Sequence, residues 1–234
     1  MRLFALALAA CTPALTPAPA PPVRLADHEA AYMRATALAD RTSYDAAIRE
    51  LEPFAAATAN TTNDALAYWI HNELTWLHWA KADLRGALVE TDLGARALDR
   101  SALAADDRAA MRLQALRDRA YLLLELADSR ADAAFAEYEA LAKARDDHDG
   151  LAVLTAFFAA RRHHGVDAMA AAKRVDVDHD SDLQDLYVIA LAFDEGGDHE
   201  IARAVRARIC RGNEYLMKPL ILEQLRREGS RCAT

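Results

Sequence analysis

The chain has 234 residues, a formal net charge of −8 and 53% hydrophobic residues. That length buries a substantial core in one or two domains. The acidic balance excludes general nucleic-acid binding, which runs on phosphate neutralisation by surplus lysine and arginine. The charge is uneven. From Arg203 onward eight basic residues face three acidic ones, so the tail carries +5 and the rest of the chain −13. The basic tail reads either as a solvated helix face that neutralises the acidic helices before it, or as a surface for phosphate head groups or an acidic partner.

In chain order, residues 1–11 read MRLFALALAAC: one arginine, a short apolar run, then Leu8-Ala9-Ala10-Cys11. The segment is too short to span a bilayer. Its ending has the form of a bacterial lipobox, so it resembles a lipoprotein export signal. The resemblance implies that Cys11 is diacylated and becomes the mature N-terminus. Thr12, rather than an aspartate, after it implies sorting to the outer membrane. The alternatives are an ordinary signal or a chance apolar start, and the shortness of the run leaves open a start further upstream. Residues 12–23, TPALTPAPAPPV, form a proline-rich tether that favours extended polyproline II.

The body, residues 24–234, carries only Pro53 and Pro219 of the seven prolines and no alternating β-branched run, so an all-α fold is expected. The expected helices pair as Leu25–Asp40 with Ser43–Thr58, Asp106–Leu126 with Arg130–Arg145, Leu151–Arg162 with Val166–Val175, and Asp182–Glu195 with His199–Cys210. Pro53 is expected to kink or end its helix, and Gly165 to stop the one before it. The central hairpin spans Asp64 to Leu98, with its turn near Asp83–Arg85. Its first helix carries Leu66, Ile70, Leu74 and Leu77 on one face and Trp69, Trp76 and Trp79 on a neighbouring one. Such a hairpin cannot bury both faces alone and needs neighbours stacked on it.

Those neighbours are found by anchoring on a small residue early in each second helix: Ala47, Ala87, Ala134, Ala168 and Ala202, at steps of 40, 47, 34 and 34 residues. Twelve residues before each stand Ala35, Thr75, Leu122, Ala156 and Ala190. With Tyr44 before Ala47, Tyr138 after Ala134 and Ala156 before Ala168, the stretch from Leu25 to Ile209 resembles the tetratricopeptide repeat family, whose period is about 34 residues. It departs from that pattern at Leu122, at Arg34 and Arg206, and in its two long steps, so a generic array of helical hairpins is the alternative. The resemblance implies a right-handed α-solenoid of about five hairpins with a C-terminal capping helix, Pro219–Glu228. Leu220, Ile221, Leu222 and Leu225 would cover the last apolar face, with Arg226 and Arg227 toward solvent. It also implies a concave groove lined by first-helix residues: Tyr32, Trp69, Asn72, Trp76, Trp79, Arg119, Leu123, Phe157, Arg161 and Tyr187. Aromatic side chains dominate binding hot spots because they bury large area with few rotors. The other reading of the three tryptophans is core. The family's two-lysine carboxylate clamp is unmatched except at Asn72.

Catalytic signatures are missing: there is no GxSxG, P-loop, GxGxxG, CxxC or complete HExxH, so no enzyme and no cofactor are expected. His28-Glu29-Ala30-Ala31-Tyr32 lacks the second histidine a zinc site needs. Residues 176–182 alternate aspartates as a calcium loop does, but Ser181 replaces the glycine and Tyr187 the bidentate glutamate; a solvated turn is the plainer reading. If Cys11 is lipidated, Cys210 and Cys232 remain, either as a disulfide or as a buried and a free thiol. The expected protein is a lipid-anchored periplasmic interaction scaffold in envelope assembly or maintenance, with an envelope protein or peptide in its groove and the membrane held through its anchor. The competing readings are an envelope enzyme or metal-dependent binding protein using the Asp176–Asp182 turn or the histidines, and a cytosolic helical-repeat adaptor whose start was assigned wrongly.

Overall fold

The structure, a computed structural model, describes residues 24–59, 65–176, 182–211, 217–227 and 229. Residues 1–23, which include Cys11 and the tether, lie outside the described residues, as do residues 177–181 and Cys232. Among the described residues there is no strand. After a short 3-10 turn, Leu25–Asp27, come eleven helices: α1 His28–Ala39, α2 Tyr44–Thr58, α3 Leu66–Ala80, α4 Leu84–Arg100, α5 Ala105–Glu125, α6 Ala131–Ala144, α7 His148–Arg161, α8 Gly165–Ala172, α9 Leu183–Glu195, α10 His199–Arg211 and α11 Met217–Arg227. The protein is all-α.

One turn recurs in all five hairpins. Each first helix ends on a residue with positive φ: Thr42, Ala82, Ala127, His163 and Gly197. At Ala82 the backbone N–H bonds to the Trp79 carbonyl at 2.9 Å and the Asp83 N–H to the His78 carbonyl at 2.9 Å. The same pair of bonds closes the other four turns, which satisfies carbonyls that a helix end leaves orphaned. Asp83 then caps the next helix, accepting from the Gly86 N–H at 3.0 Å.

Pro53 does not end its helix, and the expectation at Gly165 is corrected. Helix α2 runs through Pro53 to Thr58. Pro53 is exposed, so the carbonyl it leaves unbonded lies on the solvent side, while Leu51, Phe54 and Thr58 are buried and hold the helix. Gly165 does not stop a helix. It opens α8, and His163 supplies the left-handed turn. A Cβ on Gly165 would stand 2.0 Å from the Glu195 carbonyl oxygen, so close approach of α8 to the end of α9 is what requires glycine there.

Consecutive helices pack on one another from α1 to α10, and α7 also packs on α5 and α9. All ten anchor residues are buried: Ala47, Ala87, Ala134, Ala168 and Ala202 on the second helices, and Ala35, Thr75, Leu122, Ala156 and Ala190 on the first. Small residues at those crossings let the paired backbones approach. The core has two main parts. Helices α1 to α3 enclose one around Leu51, Ile70 and Leu74. The larger runs from Trp79 through Tyr121, Leu154 and Val188 to Ile221 and Leu225. Tyr44 and Trp76 touch both.

Helix α11 departs from its expected place. It does not simply extend the stack, but lies across α9 and reaches back to α3. Ile221 and Leu225 join the large core, and Arg227, exposed as expected, also donates from Nη2 to the Ala80 carbonyl at 2.7 Å. A cation there also meets the negative end of the α3 dipole.

Candidate ligand-binding site

The first helices α3 and α5 part near the first turn of α5 and leave a cavity of about 440 Å³. That is a volume typical of pockets that enclose a small organic group. One wall is a single face of α3: Tyr68, Trp69, Asn72 and Trp76. The other comes from α5: Asp107, Ala110, Met111 and Gln114, with Asp182 at the cap of α9. Trp69 is 43% exposed, a high value for so large an apolar surface. It stands edge-on to Tyr68, ring centroids 5.2 Å apart.

Behind this cavity lies a buried ionic network. Arg117 Nη1 donates to Asp185 Oδ1 at 3.0 Å and Nη2 to Gln114 Oε1 at 2.9 Å, and Asp182 Oδ2 lies 3.5 Å from Nη2. Gln114 Nε2 donates to Asp118 Oδ1 at 3.0 Å. Asp182 also caps α9, its Oδ1 accepting from the Gln184 N–H at 2.8 Å. Burial pushes the Asp118 carboxyl up to about 6, against the pull of Arg117 and Gln114. Burial works against the charge of Arg117 too, but Asp185, Tyr121, Asp182 and Asp118 together hold it protonated. The Tyr68 phenol is raised well above its ordinary value, by burial first and then by Asp118, so it stays neutral. Tyr68 Oη and Asn72 Nδ2 are buried with no hydrogen-bond partner among the described residues, and unpaired polar atoms of this kind are uncommon inside folded proteins.

A second, smaller hollow of about 230 Å³ opens where α11 crosses the array, between Trp79, Glu125, Arg161, Tyr187, Gln224 and Arg227. Arg161 ties it together: Nε donates to Glu125 Oε1 and Nη2 to Tyr187 Oη, both at 2.7 Å.

The ten residues assigned to one groove therefore divide. Trp69, Asn72 and Trp76 line the first cavity, and Trp79, Arg161 and Tyr187 the second. Leu123 and Phe157 are core residues, 0% and 1% exposed. Phe157 sits in a ring series with Tyr121 at 4.5 Å and, beyond it, Trp79 at 6.1 Å from Tyr121. Tyr32 packs on the core of α1 to α3. Arg119 faces the second helices instead, pairing with Asp92 of α4 at 3.3 Å and Glu137 of α6 at 3.5 Å. The network of Gln114, Arg117, Asp118 and Asp185 was missed. Its signal was present: residues 114, 117, 118 and 121 fall on one helix face.

His28, His71 and His78 lie against carboxylates. His71 Nδ1 lies 2.7 Å from Glu90 Oε2, and His78 Nδ1 lies 2.9 Å from Asp83 Oδ2. His28 Nε2 lies 3.0 Å from Glu73 Oε2. Among the described residues no group of three or more histidines, cysteines, aspartates or glutamates is placed to hold a metal ion. Most of the Asp176–Asp182 turn lies outside them. Cys210 is disulfide-bonded. Among the described residues no helix is long and apolar enough to cross a membrane. Comparison with family models, with characterised proteins and with solved structures finds no match.

Proposed function

We propose that this chain is a protein-interaction scaffold whose partner enters the aromatic cavity between α3 and α5. The observation that carries the reading is Trp69, 43% exposed at the mouth of a 440 Å³ cavity whose other walls include Tyr68 and Trp76. Large exposed aromatics beside a preformed hollow are the anchors of binding hot spots. On this reading the array is a right-handed tetratricopeptide-like solenoid. Five hairpins with one shared turn and buried small anchors support it. The export-type segment ending at Cys11 and the proline-rich tether support a lipid-anchored periplasmic position, most simply at the outer membrane, in envelope assembly or maintenance. A photo-crosslinking side chain at position 69, with one at exposed position 96 as control, tests the binding surface in living cells. An adduct from position 69 alone supports it; none, or equal adducts from both, refutes it. Palmitate labelling that persists in Cys11→Ser would refute the anchor.

A further inference from the structure

The lining of the first cavity is chemically one-sided. Among the described residues it holds two carboxylates, Asp107 and Asp182, three aromatic rings and no lysine, arginine or histidine. Asp182 is engaged with Arg117 and with the start of α9. Asp107 is exposed and in no ion pair among the described residues, so it is the carboxylate available to a ligand. The wider field has the same sign, since the chain before Arg203 carries −13. An anionic ligand would meet two carboxylates, of which only Asp182 has a cation, Arg117, beside it. A cation meets those carboxylates and the π faces of Trp69 and Trp76 together, and both attract it.

On the reading of this cavity as the binding site, we propose that it recognises a basic peptide segment of the partner by taking up an arginine side chain. The planar guanidinium stacks on an indole and pairs with a carboxylate at its edge, while its aliphatic stem packs on Met111 and Ala110. A peptide suits the site better than a free cation on two grounds. The cavity opens beside Trp69 at the surface, so a chain can pass the mouth while one side chain enters. Buried Asn72 Nδ2 and Tyr68 Oη also have no partner among the described residues, and a small reorientation offers them to the carbonyls of an entering backbone.

The test is a tryptophan-fluorescence titration of the whole chain, to millimolar ligand, with three probes: a blocked Ala-Ala-Arg-Ala-Ala amide, the same peptide with citrulline for arginine, and argininamide. Citrulline keeps the shape and removes the charge. The arginine peptide is expected to bind about tenfold more tightly than the citrulline peptide, as ~1.4 kcal/mol of combined cation–π and ion-pair attraction gives. Its affinity should fall with added salt and drop about fivefold in Asp107→Asn. Trp69→Ala should lose most of the response while its melting curve stays intact. Equal binding of the citrulline peptide overturns the charge assignment and leaves the cavity as a binding site. Equal binding of argininamide overturns the peptide assignment. If neither peptide binds and position 69 yields no adduct in cells, the cavity is not the binding site and both readings fall.

Discussion

Arg117→Met separates a structural ion network from a decorative one. Arg117 is 8% exposed, donates to Asp185 and Gln114 and lies beside Asp182. Methionine keeps most of the volume and none of the donors. Asp185 and Gln114 Oε1 then lose the bonds that Arg117 donates, and Asp118 loses the countercharge of Arg117. Breaking one side of a buried pair in this way costs about 3–5 kcal/mol, chiefly as the penalty of the carboxylate left behind. The assay is urea unfolding at pH 7, with the slope checked for a retained two-state transition. Asp185→Asn and the double variant complete a cycle. If the stranded carboxylate is the main cost, the double variant recovers at least about 1 kcal/mol relative to Arg117→Met. A loss under about 1 kcal/mol in Arg117→Met would show that the network is solvated and does not tie α5 to α9.

Three further outcomes follow from the geometry. Asp118 is held protonated in the fold up to about pH 6, against 3.8 when free; the native state therefore binds the extra proton, its contribution is fully present below 3.8 and is lost as pH rises through about 6. Relative to Asp118→Asn, the wild type should lose about 2 kcal/mol of stability between pH 4 and pH 7 by denaturant titration, and parallel curves would refute the shift. Ala127 has φ 51 and is exposed, so Ala127→Gly relieves left-handed strain without loss of packing and should raise stability by up to about 1 kcal/mol; Gly165→Ala, with a Cβ 2.0 Å from the Glu195 carbonyl oxygen, should lower it by at least about 1 kcal/mol. Phe157→Ala should cost about 3–5 kcal/mol as a core aromatic does, and Trp69→Ala under about 1 kcal/mol; similar losses at both positions would mean that Trp69 is packed rather than presented.

The helices and their pairing were legible because each hairpin carries a strong apolar period and a small anchor at the crossing. Ala87 and Thr75 mark the central pair, and both are buried. The hairpin turns were less legible. At Ala82 and Ala127 an alanine, with no turn preference of its own, adopts positive φ because the pair of backbone hydrogen bonds that closes the helix end requires it. Periodicity could show which residues share a face, but not what covers that face. Leu123 and Phe157 were grouped with Trp69 by register alone, yet the former two are buried in the core while Trp69 is 43% exposed and lines a cavity. The seat of α11 was invisible for the same reason: its apolar residues say that it is covered, not that α3 and α9 do the covering. The Arg117 network was hidden because charged residues read by default as solvated.

The central claim is that recognition happens inside the cavity between α3 and α5. Ala110→Trp tests it most directly, because Ala110 is exposed and lines that cavity, so an indole there fills the space without entering the core. The measurement is in-cell photo-crosslinking from position 69 in the Ala110→Trp chain, alongside its melting curve. The melting curve should be unchanged and the adduct lost. A full-strength adduct with the cavity filled would contradict it.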